Sequence, residues 1–165
     1  MKPDTATKKG LLTGIVMILV SIAIFYTKGN FDNKLQYITY SVYVAGLIWA
    51  LLDYSKQPQT EHKFGKYFSQ GFKCFIVVTL LMVIFTAIFL FSHPQLKDEM
   101  ALVYKTDLLK TGNKTEREIE ELIGMAKKSF FPAMLMATIF GYLVIGAMVT
   151  AIASGFLMQK NKAVA

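Results

Sequence analysis

Charge and cysteine are both scarce in this sequence. Charged residues make up 18 % of the 165 residues, whereas about a quarter is typical of soluble domains, and 54 % of the residues are hydrophobic. The single cysteine, Cys74, cannot form an internal disulfide and lies near the start of an apolar run, where an inert buried thiol is expected. The composition therefore argues against a soluble globular domain and against a disulfide-stabilised secreted domain, and it favours a membrane protein.

Four long segments contain almost no charge: 10–27, 35–52, 72–92 and 130–158, with Lys73 near one end as the exception. The first, at about 1.5 Å per residue, would cover roughly 27 Å as a helix, close to the hydrocarbon thickness of a bilayer. Pro132 is expected in the first turn of the fourth helix, where a missing N–H costs least. We therefore predict an all-α, polytopic membrane protein with four transmembrane helices in a single domain, 1–165.

The one sizeable polar segment lies between the third and fourth predicted spans. A break is expected near Gly112, and Thr115 and Glu118 have the spacing of a capping box that begins a second helix. This pattern predicts an extracytoplasmic helical hairpin over 94–128. An apolar stripe on its second helix would be structural if it docks on the bundle and a partner surface if it stays uncovered. The stripe consists of Ile119, Leu122, Ile123 and Ala126.

The net charge of +7 comes from basic residues that flank the apolar segments. Because these residues form no stripe on a polar surface, they indicate contact with a lipid bilayer, and we expect no nucleic-acid partner. Lys and Arg counts tie at nine on each side, but three lysines precede the first span and only Lys28 and Lys34 follow it. The positive-inside rule then places both termini in the cytoplasm.

No arrangement of reactive side chains accompanies the apolar segments. Their central parts contain no Asp, Glu, Lys, Arg or His, the groups on which proton-coupled transport and intramembrane catalysis depend. Two histidines, His62 and His93, fall on opposite predicted sides of the membrane. Asp53 and Lys73 lie at helix ends on one side and could pair, although two solvated flanking charges are the better interpretation. We expect no catalytic residue, no metal site and no cofactor, and hence no enzyme.

Small residues recur at four-residue spacing in the first and fourth predicted spans. Such ridges allow helix backbones to approach closely in lipid, where van der Waals contact drives association. The candidate helix-packing positions are Gly10, Gly14, Ala133, Ala137, Gly141, Ala147, Ala151 and Gly155.

Three short motifs resemble those of a known family. They are Phe64-Gly65-Lys66-Tyr67-Phe68-Ser69-Gln70-Gly71-Phe72-Lys73 before the third span, Leu51-Leu52-Asp53-Tyr54 at the end of the second, and Phe131-Pro132-Ala133-Met134 at the start of the fourth, followed by 146–153. In this order they are similar to bacterial inner-membrane proteins grouped as domain of unknown function 4199, across nearly the whole chain. The resemblance implies a four-span protein of the bacterial inner (cytoplasmic) membrane with a helical insertion before the last span. It carries over no catalytic residue.

Two functional hypotheses follow. The first is a non-enzymatic accessory or scaffold subunit that contacts a membrane-protein partner, or another copy of itself, through its helices or its hairpin. The alternative is a small-solute transporter or channel that acts as an oligomer, because hydroxyl groups are concentrated at the start of the second span. A polar path would be lined by Tyr37, Thr39, Tyr40, Ser41 and Tyr43, although tyrosines at this position are also typical of an interfacial belt.

Overall fold

A computed structural model describes residues 5–28, 33–57, 63–112 and 114–162 of the chain. Within these ranges the protein consists of five α-helices and no β-strand, which confirms the all-α fold class. The helices are α1 (Thr5–Lys28), α2 (Asn33–Ser55), α3 (Phe64–Ser92), α4 (Leu96–Thr111) and α5 (Glu116–Lys162).

Three of the described helices are long and apolar enough to cross a membrane, namely α1, α3 and α5. The most apolar of the three is α3, with a mean hydropathy of 3.0 over its most apolar 18 residues. The second helix, α2, is not among the three found within the described residues. Composition and length therefore identify three of the four predicted transmembrane helices.

The helices extend beyond the apolar segments from which they were predicted. α1 begins at Thr5 rather than at residue 10, and α3 begins at Phe64 rather than at residue 72. The apolar pattern of the sequence marks only the part of a helix that is compatible with lipid. The helix itself is held by backbone hydrogen bonds, which also form between polar residues, so it extends past the apolar segment. The motif that begins at Phe64 is therefore helical, and Lys73 lies within α3.

The predicted second helix of the hairpin and the predicted fourth span are one helix. α5 runs for 47 residues without interruption, far more than the roughly 20 that a bilayer core requires. The expectation that Pro132 occupies a first turn is wrong, since it lies inside α5. No glycine or other helix-stopping residue separates Ala126 from Pro132, and the proline removes a single backbone donor, which a long helix tolerates.

The predicted break near Gly112 and the predicted capping box are confirmed. α4 ends at Thr111, and the next residue, Gly112, has a φ of 68°, the left-handed conformation that glycine adopts without strain. At the start of α5, the backbone N–H of Thr115 donates to Glu118 Oε2 at 2.8 Å, and the N–H of Glu118 donates back to Thr115 Oγ1 at 3.4 Å. Asn113 lies outside the described residues. The polar segment therefore contains the end of α4, just before Gly112, and the capped start of α5.

Backbone proximity divides the chain into two compact units. The first comprises residues 1–83 and 139–165, and the second comprises residues 84–138. In the first unit the fully buried side chains include Tyr43, Leu47 and Val78. In the second unit the buried apolar side chains include Leu96 and Ile119.

Helices of the first unit that follow one another along the chain run antiparallel. Leu51 near the end of α2, Tyr67 near the start of α3 and Leu157 near the end of α5 form one buried cluster. At the same end, Lys9 near the start of α1 forms an ion pair with Asp53 near the end of α2. Helix ends of alternating direction therefore meet at this position, which we call the Lys9–Asp53 end.

Candidate functional site

Several close helix contacts of the first unit occur at glycines. A Cβ atom added to Gly10 would lie 2.7 Å from the backbone oxygen of Cys74 and 3.1 Å from Cβ of Val77. A Cβ atom added to Gly14 would lie 2.6 Å from Cδ1 of Leu81. Each of these distances is below ordinary van der Waals contact. The backbones of α1 and α3 therefore approach each other along two successive turns, and a larger residue at either glycine would separate them.

Three further glycines make equally close contacts that the sequence pattern did not single out. A side chain at Gly46 on α2 would collide with Thr13 on α1, and one at Gly71 on α3 would collide with Thr150 on α5. At Gly146 a Cβ atom would meet the hydroxyl of Tyr43 and would lie 2.8 Å from Phe75. These glycines are not spaced at four-residue intervals, so a search for repeating ridges misses them.

The predicted small-residue ridge of α5 falls into different environments. Ala133 and Ala137 are exposed in the second unit. In the first unit, the Cβ position of Gly141 is 3.5 Å from the hydroxyl of Tyr40. Ala147 and Ala151 are half-buried. Gly155 has no atom of the described chain within 4 Å of its Cβ position, apart from its own helix and adjacent residues.

Tyr43 brings α2 and α5 together in the interior of the first unit. Its side chain is fully buried, and its hydroxyl donates a hydrogen bond of 2.9 Å to the backbone oxygen of Tyr142. The two rings pack edge to face with centroids 5.3 Å apart. Gly146, one turn beyond Tyr142, leaves the space that this hydroxyl occupies. The phenol is therefore a satisfied core group that links two helices.

The hydroxyl-bearing residues of α2 do not line one path. Tyr43 is buried, whereas Tyr37 is 70 % exposed. The hydroxyl of Ser41 is taken up by the backbone oxygen of Tyr37 in its own helix. Thr39 is buried, and Tyr40 packs on Tyr142. The side chains proposed for a solute path therefore divide between the outer surface and the core.

Two other buried hydroxyls lie on α5. Thr150 and Ser154 are fully buried, and neither hydroxyl has a hydrogen-bond partner within the described ranges. Thr150 lies directly against Gly71, where a Cα–H group can make a weak contact with the hydroxyl oxygen. This pair therefore contributes to the close approach of α3 and α5.

A partly buried ion pair defines the Lys9–Asp53 end. The ammonium group of Lys9 is 2.6 Å from Oδ2 of Asp53 and 4.3 Å from the ring centroid of Trp49. The Lys9 side chain is only 11 % exposed, while that of Asp53 is 44 % exposed. The sequence favoured a solvated Asp53, with a pair to Lys73 as the other possibility, whereas in the structure Asp53 pairs with Lys9. Sequence spacing could not reveal this, because the contact depends on how α1 packs on α2.

The second unit holds α4 against the first part of α5. Asp98 accepts a hydrogen bond from Lys127 across a 2.6 Å ion pair, which lowers the pKa of this carboxyl group below its usual value. In the predicted apolar stripe, Ile119 is 3 % exposed, and Leu122, Ile123 and Ala126 are half-buried. The stripe is thus largely covered by the chain itself, and the part centred on Ile119 is not open to a partner.

The described residues contain no cluster of three or more His, Cys, Asp or Glu side chains that could hold a metal ion. His93 ends α3, where its Nδ1 is 3.0 Å from the backbone oxygen of Phe89 and its ring stacks on that phenylalanine. His62 lies outside the described residues.

Comparison with known families gives one informative match. The model of a family described as protein of unknown function (DUF4199) matches residues 8–159. The chain belongs to this family. No match was found among curated proteins or among solved structures. The DUF4199 match covers both units, so it extends from the Lys9–Asp53 pair through the polar segment to the end of α5.

The glycine contacts of this DUF4199 protein predict that a glycine-to-alanine substitution has different effects at two positions of α5. Gly146→Ala should lower the thermal stability of the detergent-purified protein, because the methyl group collides with Tyr43 and Phe75; overpacking of this kind costs roughly 1–3 kcal/mol. Gly155→Ala is the matched control in the same helix and should leave stability unchanged or slightly raised, since its site is open. Equal midpoints for the two variants in a thermal unfolding assay would contradict this packing.

The ion pair predicts an asymmetry between its two partners. Asp53→Asn leaves the ammonium group of Lys9 buried without a counter-charge, whereas Lys9→Met leaves a half-exposed carboxylate that water can solvate. We expect Asp53→Asn to be the more destabilising change and the double variant Lys9→Met/Asp53→Asn to recover most of the loss. Thermal unfolding of all four proteins forms a double-mutant cycle. Additive effects in that cycle would show that the two groups do not interact.

Proposed function

We propose that this chain is a four-span protein of the bacterial inner membrane that serves as a non-enzymatic accessory or scaffold subunit. In this proposal α2 is the fourth membrane-spanning helix, and both termini lie in the cytoplasm. Its partner is another membrane protein or a second copy of the chain, and the lipid bilayer covers the remaining apolar surface. Three lines of support are the packing of α2, an open face on α5 and the nature of the buried polar groups.

The packing of α2 supports its assignment as a span. It lies antiparallel to α1, with Thr13 against Gly46 and Lys9 paired with Asp53. It also contacts α5 through Tyr43 and Tyr142. Because α1 and α5 are both apolar enough to cross a membrane, a helix held alongside each of them shares their environment. Its hydroxyl groups include the phenol of Tyr43, which is buried and hydrogen-bonded and which lipid does not meet.

The observation that carries the scaffold role is an open face on α5. Val144, Met148, Ala151 and Gly155 follow one another at helical spacing and therefore share a side of the helix. Val144 is 54 % exposed and Met148 is 59 % exposed. Gly155 leaves a gap that no other helix of the described chain fills. A small residue beside larger apolar ones suits close approach by a partner helix in lipid.

The buried polar groups support a structural role rather than a chemical one. The phenol of Tyr43 is bound to the backbone, and the carboxylate of Asp53 is engaged by Lys9. An activated nucleophile needs an adjacent base that is free to accept its proton. The buried hydroxyl of Thr150 lies against Gly71, and neither it nor the hydroxyl of Ser154 has a hydrogen-bond partner among the described residues. The proposed role therefore depends on contact surfaces.

The experiment is purification in mild detergent, followed by mass measurement in solution and identification of co-purified proteins. The wild type should form a defined oligomer or recover a partner in fixed stoichiometry. Gly155→Leu should abolish that association while the protein stays folded, because it fills the gap on the open face. Gly124→Leu is the matched control, since Gly124 lies in the same helix and its site is also open. A strictly monomeric wild type without a partner would refute the scaffold role.

A further inference from the structure

The first unit carries an apolar groove between α2 and α5. Its volume is about 460 Å³. The lining consists almost entirely of aliphatic and aromatic side chains, and it contains one charged residue, Lys160, and no carboxylate. On α5 the groove side is centred on Val149, Ala153 and Phe156, so it is distinct from the open face centred on Ala151 and Gly155. The partner helix proposed for the open face would therefore not fill this groove.

The length of the groove corresponds to one leaflet of a bilayer. Its lining on α5 extends from Val149 to Lys160, which at about 1.5 Å per residue is roughly 16 Å. This is close to half of the roughly 30 Å hydrocarbon core. A protein helix crossing the membrane would need a contact surface along both leaflets, whereas an acyl chain occupies only one.

The charge at the mouth of the groove selects the headgroup. Lys160 is exposed and takes part in no ion pair within the described part of the chain. The nearest acidic residue along α2, Asp53, follows directly after the groove residue Leu52 but is neutralised by Lys9. Lys160 attracts the phosphate of any phospholipid, but it repels the ammonium group of a choline or ethanolamine headgroup, and no carboxylate lines the groove to pair with that ammonium group. A headgroup of net negative charge is therefore favoured.

We propose that this groove binds one acyl chain of an anionic phospholipid, with the phosphate of its headgroup held by Lys160. The inference rests on the membrane insertion proposed above, which places the Lys9–Asp53 end at the cytoplasmic surface. Trp49 is exposed at this end, as is usual for aromatic residues at headgroup depth. The bound lipid fills the space between α2 and α5 and supports the side of the bundle on which Tyr43 joins them.

The test counts retained lipids by native mass spectrometry. Protein extracted from membranes in mild detergent is mixed with equal amounts of phosphatidylglycerol and phosphatidylcholine that carry identical chains. The wild type should retain phosphatidylglycerol in preference. Lys160→Ala should lower that retention about five-fold, the order of magnitude for one basic residue at a membrane surface, and should lower the retention of phosphatidylcholine, whose ammonium group the lysine repels, by less. Ile48→Trp, which fills the groove, should lower the retention of both lipids.

Two matched variants control for general effects. Lys105→Ala removes a lysine from α4, and Leu19→Trp adds the same bulk to an exposed position of α1; both should behave as the wild type. Equal retention of the two lipids by the wild type, or equal behaviour of Lys160→Ala and Lys105→Ala, would overturn the proposal. Absence of the chain from the membrane fraction, or a purely monomeric protein without a partner, would instead refute the proposed function. Both properties are measured before any lipid is added.

Discussion

Close approach of helix backbones is the constraint on which the first unit depends. Within a bilayer the lipid chains are as apolar as the helices, so burial of leucine or isoleucine gives no net drive for association, and dispersion contacts must supply it. The dispersion energy of these contacts increases when two helix backbones approach each other with no large side chain between them. Gly10 and Gly14 allow this for α1 and α3, and Gly71 allows it for α3 and α5. The larger side chains can then pack around these points.

Two polar groups of this unit find partners where the helices meet. The phenol of Tyr43 reaches a backbone oxygen of α5 through the space left by Gly146, and the ammonium group of Lys9 reaches Asp53 beneath the ring of Trp49. Lys9 pairs with Asp53, and Lys160 is the one charged residue among the described residues that line the neighbouring groove.

Much of the helix content could be predicted from the sequence, because lipid excludes charge and the charge pattern shows where helices lie. The break at Gly112 and the capping box of Thr115 and Glu118 also depend on local chemistry and were predictable. The continuity of α5 could not be predicted, because the point where a sequence changes from polar to apolar does not by itself end a helix. The partner of Lys9 and the role of Gly146 depend on tertiary packing, which a single sequence does not encode in its spacing.

The central claim, contact between the backbones of α1 and α3, can be measured by disulfide formation in isolated membranes. In a Cys74→Ser background, Gly14→Cys/Leu81→Cys places two Cβ atoms about 3.3 Å apart, near the 3.5–4.5 Å range that disulfides adopt. The control pair is Gly14→Cys/Leu80→Cys, because Leu80 is 58 % exposed. After mild oxidation, maleimide mass labelling should show loss of free thiols in the first pair and retention in the second. Equal labelling of both pairs would contradict the account.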